Sequence, residues 1–192
     1  VMRSSILQTS RSIQRMYGQL LKLRPWLQVR TIANHGNSWS FVRKNAELAK
    51  LAYGGNYDQV MEAPVTIALF TDTDLQRRAR KIARVGGVKN FTEEQLQYFM
   101  QNLPAEYARY NEQQISDYLA LNAGLVAMNL VLALTDQGIG SNIILGFDKS
   151  KVNEVLEIEE RFRPELLITV GYAAEKVEPS YRLPVDEIIE KR

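Results

Sequence analysis

From Tyr118 to Leu134 the chain reads Y-L-A-L-N-A-G-L-V-A-M-N-L-V-L-A-L, apolar on nearly every helical face and without a charge. A helix apolar all round is buried, in a protein core or in a bilayer. This run is roughly 17 residues long, against the roughly 20 a bilayer core needs. It is also interrupted by Asn122 and Asn129. The expectation is a buried central helix and no membrane span. It should stop at Gln137-Gly138, where Gly supplies the left-handed cap. Ser141 to Leu145 then reads as a short strand, and Gly146-Phe147-Asp148 turns out of it. Gly146 has no side chain, so a flat ligand could lie directly on its amide. Equally, an isolated glycine punctuates a turn.

Such a helix needs a core around it. At 192 residues and 45% hydrophobic content, one domain with a sizeable core is expected. There is no Cys, which excludes disulfides and thiolate chemistry, and His35 is the sole histidine, which disfavours a His-based metal site or triad. The net charge of +2 conceals an asymmetry. Residues 1–46 hold eight Lys or Arg and no acid, so all 22 acids fall at or after Glu47. An acid-free, Arg- and Ser-rich opening fits a basic arm or a targeting segment.

Residues 1–30 read as largely helical up to Pro25, with Arg11-Ser12-Ile13-Gln14-Arg15 either a solvated face or an anion site. Thr31 to Ser38 is turn-like, and the amides of Asn34 and Asn37 could bond a heterocycle edge. A strand begins at Trp39, and a helix runs from Asn45 to Gly54-Gly55. Pro64 to Phe70 is continuously apolar and β-branched, as in the middle of a covered sheet. Asp72 or Asp74 can cap the Arg-rich helix that follows. No aromatics interleave its arginines, which argues against nucleic acid. Thr92 and Gln95 form a capping box. The segment beyond it carries Phe91, Tyr98, Phe99, Tyr107 and Tyr110 and is broken at Pro104, a pattern suited to a mobile cover or to core packing. Lys149 to Glu157 reads as an amphipathic helix and Glu165 to Tyr172 as a buried strand. Strands near 41, 64, 141 and 165 are too irregularly spaced for a βαβ repeat. They fit an α+β sandwich with a mixed, mainly antiparallel sheet flanked by helices.

From about Asn45 onward the chain resembles the FMN-dependent nitroreductases. The blocks are A-P-V-T-I-A-L-F (63–70), N-A-G-L-V-A-M-N-L-V-L-A-L (122–134), G-I-G-S-N-I-I-L-G-F-D (138–148), R-P-E-L-L-I-T-V-G-Y (163–172) and Y-R-L-P-V-D-E-I-I (181–189). The first 45 residues follow the family more faintly. Arg11 and Ser12 fit its R-x-S-[IV]-R opening, with Gln14 where a second Arg is usual. Trp39 and Phe41 fit P-S-x-x-N-x-Q-P-W-x-F, while Thr31, Ile32, His35 and Asn37-Ser38 stand in place of its Pro, Ser, Asn and Gln-Pro.

The resemblance implies one nitroreductase-like domain over 1–192, with 1–45 atypical and a 179–192 tail crossing to a partner subunit. It implies an interlocked homodimer with FMN at the interface. It also implies NADH or NADPH as donor, and ping-pong hydride transfer through flavin N5 to nitroaromatic or quinone-type acceptors. Flavin contacts would be Arg11, Ser12, Gln14, Asn37, Leu145, Gly146 and Arg182, with Ser180 replacing a Lys common in one branch. The flavin carries the chemistry, so no catalytic side chain and no metal are called for. Phe91, Tyr98, Phe99 and Tyr107 would form a substrate lid. A cytoplasmic enzyme without nucleic-acid or membrane partners is the resulting expectation. The alternative, prompted by Gln14 and Ser180, is a flavin-free binding or structural dimer on the same scaffold.

Overall fold

The computed structural model describes the main chain of residues 37–43 and the full residues 46–77, 92–173 and 181–190, except the side chain of Phe99. The expected helix over 1–30, the site residues Arg11, Ser12 and Gln14, and Phe91 lie outside the described residues. Among the described residues four strands build one sheet in the order β1-β2-β4-β3, with β1 at Asn37–Arg43, β2 at Val65–Asp72, β3 at Gly140–Ile144 and β4 at Phe162–Gly171. Every pairing among them is antiparallel, so the expected mixed sheet shows no parallel pair among the described residues.

The continuous apolar runs take the middle of the sheet. All eight residues of β2 are buried, because helices cover both its faces. Alternation along the strand divides them. Val65, Ile67 and Leu69 face one helix, while Ala68 and Phe70 face the opposite layer. The first layer is the long helix, Glu112–Asp136. Among the described residues the α-helices given bounds are, in chain order, α1 (Ala46–Lys50), α2 (Asn56–Glu62), α3 (Glu93–Tyr107), α4 (Glu112–Asp136), α5 (Val152–Val155) and α6 (Val185–Ile188). Ala123, Ala127, Leu130 and Leu134 of α4 lie on the sheet. The two alanines let the helix sit close, and each buried leucine contributes about 1.5–3 kcal/mol. The second layer is α1, α2 and α5, with Leu48, Ala49, Val60 and Val152.

Helix α4 ends as its sequence implies. Gly138 has φ +70° and donates to the Thr135 carbonyl, while Ile139 N–H reaches the Leu134 carbonyl. This is a Schellman cap with its apolar contact, since Ile139 and Leu134 are both buried. Several boundaries differ from the sequence reading, among them the helix read over Lys149–Glu157, which ends at Val155 after a 3-10 turn at Lys149–Lys151. The helix expected over 46–53 stops at Lys50, and a second helix, α2, follows Gly54-Gly55. Pro104 does not break α3 but lies inside its last turn. It removes one N–H, and that sacrifices a single bond on a helix largely open to water. Strand β4 starts earlier than expected, with a register shift opposite Leu69/Phe70 that leaves Glu165 without a cross-strand partner.

Candidate functional site

The turn after β3 is built on Gly146. Phe147 N–H donates to the Leu145 carbonyl at 3.2 Å, which makes Gly146 the apex of a three-residue turn. The Gly146 carbonyl accepts twice, from Tyr53 N–H at 2.9 Å and from Asn56 Nδ2 at 3.1 Å. Asp148 N–H reaches the Leu51 carbonyl at 2.8 Å, and Ala52 bridges Phe147. The turn is therefore fastened from its carbonyl side to the α1–α2 connection. Its Gly146 N–H has no acceptor among the described residues. Beside it Leu145 is 66% exposed and Tyr53 59% exposed. A rigid main-chain donor between two open apolar side chains is a ledge suited to a flat ring with an acceptor at its edge. That matches what an isoalloxazine offers, so Leu145 and Gly146 fit the group expected there.

Asn37 is the first residue of β1, paired with Thr71. It stands on the sheet edge opposite β3, three strand spacings from it, or roughly 14 Å at about 4.8 Å each. Both positions lie toward the same end of the sheet, but one chain does not bring them together. Arg182 is exposed and its Nη1 donates to the neighbouring Tyr181 carbonyl; no described contact joins it to Gly146. The whole described tail, 181–190, is exposed, with Tyr181, Leu183, Val185, Ile188 and Ile189 uncovered.

Among the lid candidates, Tyr98 is 63% exposed on α3. The side chain of Phe99 is outside the described residues. Tyr107 is no outward-facing cover: it is buried in a cluster with Leu75 and Leu119, its ring 5.7 Å from those of Tyr110 and Tyr118. Burial, then the Tyr118 hydroxyl at 3.1 Å, push its own hydroxyl well above the usual tyrosine range.

Two features went unread in the sequence. Asn56, after two glycines, carries only the signal of a loop residue, yet its amide holds the ledge. Leu121, Leu125, Met128 and Leu132 form an exposed seam along α4 at spacings of four, three and four. The sequence reading found the helix apolar on nearly every face, but not which residues would be left over once the sheet had taken its share. A seam of this period is what a second helix packs against.

A sequence model of the Nitroreductase family matches residues 19–172. The match starts upstream of Asn45 and ends before the tail that holds Arg182. A Streptococcus pyogenes serotype M6 protein named "Putative NAD(P)H nitroreductase Spy0809" is 57% identical over 176 residues, covering 88% of each chain. The crystal structure of a nitroreductase family protein from Streptococcus pneumoniae TIGR4 superposes with a TM-score of 0.81 at 77% identity, covering 88% of each chain. A structure from Exiguobacterium sibiricum 255-15, solved in complex with FMN, shares the fold with a TM-score of 0.78 at 24% identity, covering 89% of this chain and 86% of that one.

Proposed function

Because the chain belongs to the nitroreductase family, we propose that it is an FMN-dependent NAD(P)H oxidoreductase acting on nitroaromatic or quinone-type acceptors. The observation that carries this reading is the ledge at Gly146, whose N–H is a preorganised donor without a protein acceptor among the described residues. FMN, when bound, supplies a ring that accepts hydride from reduced nicotinamide and passes it to the second substrate in alternation.

The chain's own part is to seat, orient and shield that ring. Gly146 N–H would donate to the ring edge, and a fixed donor facing a site where charge changes costs no reorganisation. Tyr53 N–H and Asn56 hold the Gly146 carbonyl away, which keeps the amide aimed outward. Leu145 and the Tyr53 ring are the apolar walls. Arg182 would take the phosphate from the tail, with Arg11, Ser12 and Gln14 of the N-terminal part as the further residues that would serve that anion.

Homodimerisation belongs to the same reading, with the whole chain as one domain and its tail crossing to the partner. The seam Leu121–Leu125–Met128–Leu132 is too apolar to remain in water and is covered by its symmetry mate. Pairing also lets Asn37 of one chain approach Gly146 of the other, which a single chain cannot arrange. A cytoplasmic location goes with this assignment. The test is FMN titration of flavin-stripped protein, followed by quenching of flavin fluorescence. Saturable uptake of one FMN per chain is expected. A protein that takes up none is the flavin-free dimer instead.

A further inference from the structure

Asn56 stands where a side chain can act on the Gly146 N–H from a distance. It is the first residue of α2, and asparagine at a helix start ordinarily bonds N–H groups of its own helix. Here the cap position is Gly55, with no side-chain cap bond. Asn56 Nδ2 donates instead to the Gly146 carbonyl, 90 residues away, at 3.1 Å. Tyr53 N–H donates to the same oxygen at 2.9 Å. Asn56 is half-buried, and a hydrogen bond away from water is electrostatically stronger than one in it.

The bonds beyond this oxygen run in one direction. The Gly146 carbonyl shares a peptide unit with Phe147 N–H, and that N–H donates to the Leu145 carbonyl at 3.2 Å. The Leu145 carbonyl in turn shares a peptide unit with Gly146 N–H, the donor of the ledge. Each unit therefore accepts at its oxygen and donates at its nitrogen. An accepted bond draws electron density toward the oxygen and strengthens the N–H of the same plane as a donor, by roughly 10–30% per bond.

We infer that Asn56 is a positioning residue, whose amide polarises and orients the Gly146 N–H through the two peptide units Gly146–Phe147 and Leu145–Gly146. Tyr53 N–H is a second input to the same relay. It comes from the main chain, so it persists when the Asn56 side chain is removed, and the Gly146 carbonyl is not orphaned. The consequence for FMN rests on the proposed flavin reading; the relay itself does not. One turn along α2, Gln59 Oε1 accepts from Asn142 Nδ2 in β3. This bond ties the same helix to the same strand but enters neither peptide unit. Gln59→Ala is thus the control for mere loosening of α2.

The dipeptides Leu-Gly and Gly-Phe each occur once in the chain, at 145–146 and 146–147. Carbonyl-labelled leucine with nitrogen-labelled glycine therefore isolates one peptide unit in an NMR spectrum, and carbonyl-labelled glycine with nitrogen-labelled phenylalanine isolates the other. Spectra are recorded on the full chain as purified. In Asn56→Ala the Gly146 carbonyl signal should move upfield, the direct effect. The Leu145 carbonyl and Gly146 amide-proton signals should move upfield with it, the relayed effect. Gln59→Ala should leave all three in place. FMN affinity, read by fluorescence titration, should fall at least about twofold in Asn56→Ala and stay unchanged in Gln59→Ala. A Leu145–Gly146 unit that does not respond to Asn56→Ala overturns the relay. Equal shifts in Gln59→Ala overturn it as well, because the helix then acts as a whole. Shifts in Asn56→Ala with FMN affinity unaltered overturn the positioning role. A parent chain that takes up no FMN sinks the flavin reading and with it the role toward FMN, while the peptide signals, which need no flavin, still decide the relay.

Discussion

Replacing Gly146 by Ala tests how the ledge is held, because two opposing effects can be sized. A Cβ built on Gly146 lies 2.9 Å from Asn56 Nδ2 and 3.9 Å from Tyr53 Cδ2. The first approach is too close, so Asn56 withdraws and its 3.1 Å bond to the Gly146 carbonyl is lost. A neutral hydrogen bond contributes about 1 kcal/mol net. The carbonyl keeps Tyr53 N–H at 2.9 Å, so it is not orphaned and the larger penalty of an unsatisfied group does not apply. Against this, φ at Gly146 is outside the left-handed range. Ala there restricts the unfolded chain and stabilises by about 0.4–1 kcal/mol.

The two effects nearly cancel, and Gly146→Ala alone should change stability by less than about 0.6 kcal/mol. In an Asn56→Ala background the clash is gone and only the second effect survives, so the same substitution should stabilise by about 0.4–1 kcal/mol. Urea denaturation of the four proteins completes the cycle. If Gly146→Ala destabilises equally in both backgrounds, the added methyl acts on something other than Asn56 and this account of the ledge is refuted.

Other outcomes follow from the same structure. Leu125→Glu, in the middle of the exposed α4 seam, should convert a dimer to monomer in sedimentation velocity while the far-ultraviolet circular dichroism is kept. Arg182→Ala should weaken FMN binding by about 1.5–3 kcal/mol, the worth of a charge-assisted hydrogen bond, as read by fluorescence titration. The Tyr107 hydroxyl is raised above its ordinary value by burial and by Tyr118, so the folded chain holds this proton after the unfolded chain has released it. Stability linked to it is complete below about pH 10 and falls as pH rises beyond. Urea midpoints should therefore show the advantage of the parent over Tyr107→Phe closing as pH is raised through that value.

The central elements were legible because their sequences allow few structures. Val65–Phe70 is almost wholly apolar and rich in β-branched residues, and only a strand covered on both faces buries it all. The stop of α4 at Gly138 was readable because its positive φ favours glycine, and the turn at Gly146 because a glycine after an apolar run punctuates it. The capping box at Thr92 is a local device and survives in the structure. What stayed hidden depends on contacts distant in sequence. Asn56 bonds a carbonyl 90 residues away, and no local pattern marks that partner. Tyr107 and Tyr98 are the same residue type on one helix, yet one is core and the other surface. The split is decided by where Leu75 and Leu119 lie. The break expected at Pro104 failed because a proline in the last turn removes only one N–H from the helix. The division of α4 into a sheet face and an outer seam needed the sheet itself, since the sequence is apolar on both.

The most direct measurement is the visible spectrum of the purified protein under anaerobic conditions, before and after NADH or NADPH, and again after a quinone is added. The account predicts a flavin band that bleaches with the nicotinamide and returns with the quinone. A colourless protein that gains no such band when FMN is supplied, or a flavin band that neither nicotinamide bleaches, would contradict it.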